Sequence, residues 1–510
     1  MKALFQKVGR WFDKNPAVDW VGVVAALAAF TALAWPTLIG ASAYFDEGYS
    51  AYLARFNPFS TSFYTAFDVH PPLYYVVLHF WQSIVGTEVV HLRFLTIIFA
   101  WVAVLFVFLT VRHWFGRRAA VLATFLVVLS PLFVRYGTAM RMYTMMLATA
   151  FAATYVLLRA TTSKDKRWWR WYTALVAIGM WTNYFMAFVW LAHAAWLWRN
   201  YRHDRAIFAK IKKAYFWAII WYLPWLPILA LRYAVVQAYG FWIPPVSIET
   251  LASTVTESIV FRSAASTTAW TAVAILTLIT GVGVWSHRVY KRLDSKSQPA
   301  FRLLAFMAIV PVISLVAISL PPFRSAYTFR YVIVAAMSSI VLMAVTLVWV
   351  RFKRFGVPLR IGFILLALCL FASGAEQTLV NGNRSLDTNW QNRTMQLMQK
   401  VHTSGLEAPI ITRSTYAFYV FRLYPQSGYP VRFLYTTDSE MERGANRPLL
   451  DHKEDSIPNF NNLKRVWLAG DNMREVATPA GSGWVKKRQL VERDPSAHTL
   501  SEVAIYYERP

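Results

Sequence analysis

The chain has 510 residues, of which 57% are hydrophobic and 16% aromatic, more apolar surface than a water-soluble protein of this length needs. A formal net charge of +26 invites a nucleic-acid partner. However, the Lys and Arg excess falls in short clusters between apolar runs, and beyond about residue 380 acids and bases nearly balance, whereas nucleic-acid binding concentrates base on one soluble surface. The single cysteine, Cys369, excludes intramolecular disulfides and Cys-rich metal sites. Several apolar runs reach the roughly 20 residues needed to span hydrocarbon. The composition therefore predicts an α-helical polytopic membrane protein.

Lys2, Lys7, Arg10 and Lys14 precede an apolar run from Val18 to about Ala43, which is longer than the roughly 7–15 residues of a signal-peptide core. We expect an uncleaved first helix at about 18–40, with residues 1–17 in the cytoplasm under the positive-inside rule. That helix delivers a first outer loop, 41–91. Within the loop, the segment after His70-Pro71-Pro72 is apolar but short and interrupted by His79, Gln82 and Ser83. If it crossed, Arg112, Arg117, Arg118 and every later basic cluster would fall outside. If it lies along the interface as an amphipathic helix, all of them fall inside. Residues 71–86 are therefore expected not to cross.

Crossings follow at about 92–111, 119–136 and 141–159. The apolar stretch 171–198 has basic clusters at both ends, so it is read as two short helices meeting near Thr182-Asn183-Tyr184. Further crossings fall at about 214–233, 263–286, 303–320, 327–350 and 359–378. The total is about eleven within residues 18–380, with the C-terminus outside. Residues 381–510 are long enough for a small domain. Asn389–Val401 has helical spacing, and 409–412, 431–435, 465–468 and 502–507 read as strands, which gives a small extracytoplasmic α/β domain. It carries no Gly-rich phosphate fingerprint.

On this topology the outer helix ends gather Asp46, Glu47, Asp68 and His70 from the first loop. They also gather Arg135, Tyr136, Arg141 and Tyr143 from one junction, and Pro321-Pro322-Phe323-Arg324 with Arg330-Tyr331 from another. A carboxylate facing arginines suits one reaction class. The carboxylate activates a hydroxyl or amine nucleophile, and guanidinium or imidazole donors stabilise a departing phosphate. Asp46, Glu47 and Asp68 also offer oxygen ligands for a divalent cation, and at this stage the metal question stays open, with no other cofactor indicated.

These pieces together resemble the GT-C superfamily, in particular its family-39-like group of protein O-mannosyltransferases, aminoarabinose transferases of lipid A and bacterial lipopolysaccharide glycosyltransferases. The residues that carry the resemblance begin with Asp46-Glu47 after the first helix and Phe67-Asp68-Val69-His70-Pro71-Pro72-Leu73-Tyr74-Tyr75. They continue with Arg93, the Ser130-Pro131, Arg135-Tyr136 and Arg141-Met142-Tyr143 set, and Thr182-Asn183-Tyr184-Phe185. Where many bacterial members read Gln-Glu-Ala-Arg, this chain has Gly137-Thr138-Ala139-Met140-Arg141 and no acid.

The resemblance implies an inverting glycosyltransferase of the plasma membrane that takes a polyprenyl-phosphate sugar and serves a lipid, glycan or protein acceptor on the extracytoplasmic side. Asp46 is then the general base, with Glu47 as support or alternative. His70, Arg141, Tyr143, Arg324 and Arg330 hold the donor phosphate, and Asp68 and Tyr136 support the pocket. The competing classes are a transporter or lipid-glycan flippase, which would place ionisable groups deep along a pathway, and a noncatalytic envelope scaffold.

Overall fold

The computed structural model describes residues 17–240, 242–351, 356–381, 394–425, 429–434, 446–470, 472–479, 483–493 and 501–510. Residues 1–16 of the expected cytoplasmic segment 1–17 and the start of the Asn389–Val401 helix lie outside them. In chain order the helices are α1 (Ala17–Gly40), α2 (Phe45–Ala54), α3 (Pro58–Thr65), α4 (Leu73–Val85), α5 (Val89–Phe115), α6 (Arg117–Leu129) and α7 (Pro131–Thr138). Then come α8 (Tyr143–Thr162), α9 (Arg167–Thr182), α10 (Met186–Tyr201), α11 (Arg205–Tyr222), α12 (Leu226–Tyr239), α13 (Ile248–Val260), α14 (Ala269–Arg292), α15 (Ser297–Ala317), α16 (Ile333–Trp349) and α17 (Gly356–Asn381). The tail adds α18 (Thr394–Thr403), α19 (Thr415–Phe421) and α20 (Arg447–Asp451) among its strands.

The chain divides into two compact units. One takes in residues up to Trp35, then 96–138 and 142–380; the other takes in 36–95, 139–141 and 381 onward. The 41–91 loop thus groups with the tail, whereas the sequence reading set it inside the 18–380 region.

In the helical unit, eight helices among the described residues are long and apolar enough to cross a membrane, or nine if α6 and α7 make one span. The eleven expected crossings also count α9 and α10, which at 16 residues each fall below that length. Their separation bears out the expected break at 182–184, where the Asn183 side chain accepts a hydrogen bond from the Phe185 N–H, 2.9 Å, and turns the chain. The expected single helix at 119–136 is broken instead, bent by 62° between α6 and α7. Pro131 lacks an N–H and pushes Ser130 into extended backbone, which ends α6. Ser130 Oγ then donates to the Ser258 carbonyl at 2.9 Å, on the unforeseen helix α13. Helix α8 and the stretch Phe329–Trp349 that contains α16 are the most buried spans of this unit.

Asp19 at the start of α1 pairs with Arg112 at the end of α5 and Arg117 at the start of α6, at 2.8 and 2.7 Å. The start of α1 and the end of α5 therefore lie on the same side. Two spans satisfy this only if an even number of crossings lies between them, and among the described residues α4 is the one apolar helix of ten or more residues there. Helix α4 is accordingly short: 13 residues reach about 20 Å, less than the roughly 30 Å hydrocarbon core. It buries Tyr74, Tyr75 and Leu78 and exposes Phe80 and Ile84, an amphipathic pattern suited to an interface.

The tail builds a six-stranded sheet from β1 (Ile410–Thr412), β2 (Val431–Leu434), β3 (Ser456–Ile457), β4 (Arg465–Gly470), β5 (Val485–Arg493) and β6 (Ser501–Glu508), in the order β3-β2-β1-β4-β6-β5. The first four are mutually parallel, and β6 and β5 join antiparallel. Ile411, Val466, Leu468, Val503 and Ile505 form its core without any disulfide. Four of the six strands were expected. The charged strand β5 was not, because a charged edge strand lacks the alternation that marks a half-buried one.

Within the helical unit, a side chain at Gly374 of α17 would collide with the Ile259 carbonyl and the Pro131 ring. Gly374→Val is expected to cost about 1–3 kcal/mol. The check is a lowered unfolding midpoint of the detergent-purified protein, with Gly362→Val, which meets nothing, as the control.

Candidate active site

Six residues of the unit that holds the outer loop build the candidate site: Asp46, Glu47 and Ser50 on α2, Asp68 and His70 before α4, and Arg141 in the 139–141 segment. Helix α2 starts at Phe45 because Glu47 folds back on the N-cap backbone, its Oε2 accepting from the Tyr44 N–H at 3.3 Å. Glu47 is fully buried. Arg93 Nε and Nη2 donate to its two oxygens at 2.8 Å each, and the Met140 N–H donates to Oε1 at 2.9 Å. Arg93 also donates to the carbonyls of Thr37, Leu38, Ala41 and Ser42, which satisfies the end of α1. Glu47, expected as a second catalytic group, is thus engaged on both oxygens away from solvent.

Asp46 is different. Its side chain is 26% exposed, and Oδ2 stands 3.9 Å from Arg141 Nε. Arg141 is almost fully buried; its Nη1 donates to Tyr75 Oη at 3.0 Å, Ser50 Oγ at 3.1 Å and the Asp46 carbonyl at 3.3 Å. Ser50 follows Asp46 by four residues, one helical turn, so both face the same guanidinium. On the other side, Nη2 approaches the His70 ring at 3.4–3.5 Å. Asp68 Oδ2 lies 3.3 Å from His70 Nδ1 and accepts from the Tyr75 hydroxyl at 3.4 Å.

Burial and the neighbouring Arg141 charge hold the His70 pKa below its usual 6.5, against the pull of Asp68 and Asp46. The imidazole is thus neutral near pH 7, with Nδ1 beside Asp68 and both ring nitrogens within 3.5 Å of Arg141 Nη2. Burial pushes the Asp68 carboxyl up, but the hydrogen bond with His70 and the Arg141 charge outweigh it, leaving the pKa below the usual value. The result is a cation held by hydroxyls and an imidazole beside a partly exposed carboxylate.

Asp46, Asp68, His70 and Arg141 are therefore brought together as the sequence anticipated. Tyr136, Tyr143, Arg324 and Arg330 belong to the helical unit. There the Tyr136 ring packs against Tyr143 at 4.6 Å and Phe329 at 6.2 Å, and the Arg330 guanidinium lies 4.7 Å over the Trp242 ring. Arg324 is exposed, its N–H donating to the Gln237 side chain at 2.9 Å. Sequence reasoning missed Ser50 and Tyr75 as ligands of Arg141; the i, i+4 spacing of Ser50 from Asp46 was the available signal. Among the described residues no set of three or more His, Cys, Asp or Glu could hold a metal ion, so Asp46, Glu47 and Asp68 do not converge as ligands.

Residues 69–230 match the family model described as dolichyl-phosphate-mannose-protein mannosyltransferase. No curated protein matches the chain by sequence. Among solved structures, ArnT from Cupriavidus metallidurans in the apo state aligns with TM-score 0.61 at 12% identity, covering 96% of this chain and 98% of its own. The same protein bound to undecaprenyl phosphate aligns with TM-score 0.58 at 13% identity, over 96% and 98%. The apo oligosaccharyltransferase of Archaeoglobus fulgidus aligns with TM-score 0.54 at 13% identity, over 90% of this chain and 70% of that one.

Two outcomes test the site geometry. Glu47→Gln removes the charge facing a buried Arg93 and should destabilise the protein by about 3–5 kcal/mol, the usual cost of stranding one member of a buried pair; denaturant unfolding in micelles measures it. His70 titrates at lower pH folded than unfolded, so between those values the unfolded chain binds more protons and stability falls as pH drops. The wild-type unfolding midpoint should decline more steeply below about pH 6.5 than that of His70→Gln. Parallel curves would place the His70 pKa at its unperturbed value.

Proposed function

We propose that this GT-C-type membrane protein, mannosyltransferase-like over residues 69–230 and ArnT-like in fold, is a glycosyltransferase that moves a sugar from a polyprenyl-phosphate donor to an acceptor outside the cytoplasm. The observation that carries the reading is the partly exposed Asp46 carboxylate beside the buried Arg141, held in place by Ser50, Tyr75 and His70. An ArnT structure of this fold with bound undecaprenyl phosphate supports a lipid-phosphate donor.

The reaction breaks the bond between the anomeric carbon and the phosphate oxygen and forms one to an acceptor oxygen or nitrogen, with inversion. Asp46 takes the acceptor proton as general base. The departing phosphate gains a charge as the bond breaks, and Arg141 stabilises it with preorganised N–H donors. His70, kept neutral, and Asp68 orient Arg141 without adding a second positive charge. Glu47 acts at one remove, fixing the first turn of α2 and so the place of Asp46.

Purified protein supplied with radiolabelled polyprenyl-phosphate sugars and candidate acceptors from cell envelopes tests this. Asp46→Asn should lower kcat by about a hundredfold to ten-thousandfold, and Arg141→Lys by about a hundredfold. Unchanged transfer by Asp46→Asn would remove it as the base, and no turnover by the wild type across a broad donor panel would return the reading to a transporter or scaffold. For orientation, Thr87→Cys in a Cys369→Ser background should react with a membrane-impermeant thiol reagent from outside intact cells; reaction only after lysis would overturn the assigned sidedness.

A further inference from the structure

The second end of α2 holds a cluster that the proposed reaction does not use. Asp455, in the tail between α20 and β3, is nearly buried and is met by two hydrogen-bond donors and one further ion-pair partner. Tyr52 donates its hydroxyl at 2.8 Å, and the guanidinium groups of Arg55 and Arg422 lie at 2.7 and 2.5 Å. Tyr52 is on α2 and Arg55 is its C-cap, whereas Arg422 closes α19. Between these points the two helices lie so close that a Cβ on Gly48 would collide with the Tyr419 carbonyl. The Tyr419 ring packs edge-on against both Tyr49 and Tyr52, at 5.4 and 5.0 Å.

A buried carboxylate held by two hydrogen bonds and a second guanidinium, and a glycine where only hydrogen fits, fix a helix in both translation and rotation. That helix carries Asp46, Ser50 and Glu47. We infer that Asp455 is a positioning residue for the transfer reaction: through Tyr52 and Arg55 it locks α2 against α19, so that the tail sets the distance of Asp46 from Arg141. This inference rests on the glycosyl-transfer reading. It gives the tail a role in turnover, over and above any part in acceptor contact.

The carboxylate is suited to the task because it is ionised. Burial raises the Asp455 pKa, but the Arg422 charge, hydrogen bonds from Arg422 and Tyr52, and Arg55 bring it below the usual value. An amide in its place offers one acceptor oxygen where the carboxylate offers two, and leaves the paired guanidinium groups without their counter-charge. Misplacement of a reacting group by about 1 Å costs on the order of a hundredfold in rate, so even a small swing of α2 registers in kcat.

The experiment measures kcat and donor KM for Asp455→Asn, Asp455→Glu and Tyr52→Phe, alongside unfolding midpoints and polyprenyl-phosphate binding by native mass spectrometry of the full-length protein. Tyr52→Phe removes one hydroxyl and leaves both arginines on Asp455, so it keeps the test open if Asp455→Asn does not fold. The expected result is kcat lowered at least about tenfold in Asp455→Asn and several-fold in Tyr52→Phe. Donor KM and lipid binding stay within about twofold of wild type, and Asp455→Glu recovers most of the loss. Full kcat in folded Tyr52→Phe and Asp455→Asn overturns the inference. So does a loss that follows only the folded fraction. Full activity in Asp46→Asn would instead sink the assigned base and leave the Asp455 result to be judged by itself.

Discussion

The buried pair of Glu47 and Arg93 is the constraint on which the site depends. Two charges taken out of water are expensive, and their attraction repays the cost only when the remaining donors and acceptors are also met. Here they are. Glu47 accepts from Arg93 through both oxygens and from the backbone of Tyr44 and Met140, and Arg93 spends its other N–H groups on four carbonyls at the end of α1. One ion pair thereby joins the exit of α1, the first turn of α2, the entry of α5 and the segment that presents Arg141. Successive residues on a helix point about 100° apart, so burying Glu47 aims Asp46 in another direction, where it keeps partial access to solvent. Two adjacent acids that look equivalent in the sequence thus take different environments because one is consumed by structure.

The same comparison explains what could be read from the chain and what could not. Membrane class, the break at Thr182–Tyr184 and the non-crossing helix all follow from apolar length and the placement of Lys and Arg, which are local or additive properties. The Asp19–Arg112–Arg117 cluster reports the same parity independently, through geometry. The convergence of Asp46, Asp68, His70 and Arg141 was legible because each sits at a helix end, where topology constrains position. By contrast, the role of Glu47 depends on Arg93 lying 2.8 Å away across 46 positions of sequence. Asp455 is further still, about 400 positions from Tyr52, and nothing in its flanking residues marks it. The kink before Pro131 could have been taken from the Ser-Pro pair alone; the apolar run around it suggested an unbroken span and prevailed.

Arg93 and Arg141 also show how a protein assigns different work to chemically identical groups. Arg93 faces a carboxylate in bidentate geometry at 2.8 Å, an arrangement that satisfies the guanidinium and leaves no reason for it to move. Arg141 is oriented by a serine hydroxyl, a tyrosine hydroxyl and a neutral imidazole, with Asp46 as its ion-pair partner at 3.9 Å. Hydroxyls and a neutral ring fix direction, while the Asp46 carboxylate pairs with the guanidinium from one side. Keeping His70 uncharged matters, since a second cation against Arg141 would cost repulsion in a buried setting. A group that is to stabilise charge appearing only as a bond breaks needs its own donors held in place beforehand, so that little reorganisation remains when the leaving group departs. By that criterion the two arginines separate, with Arg93 holding the frame and Arg141, under the proposed reaction, meeting the departing phosphate.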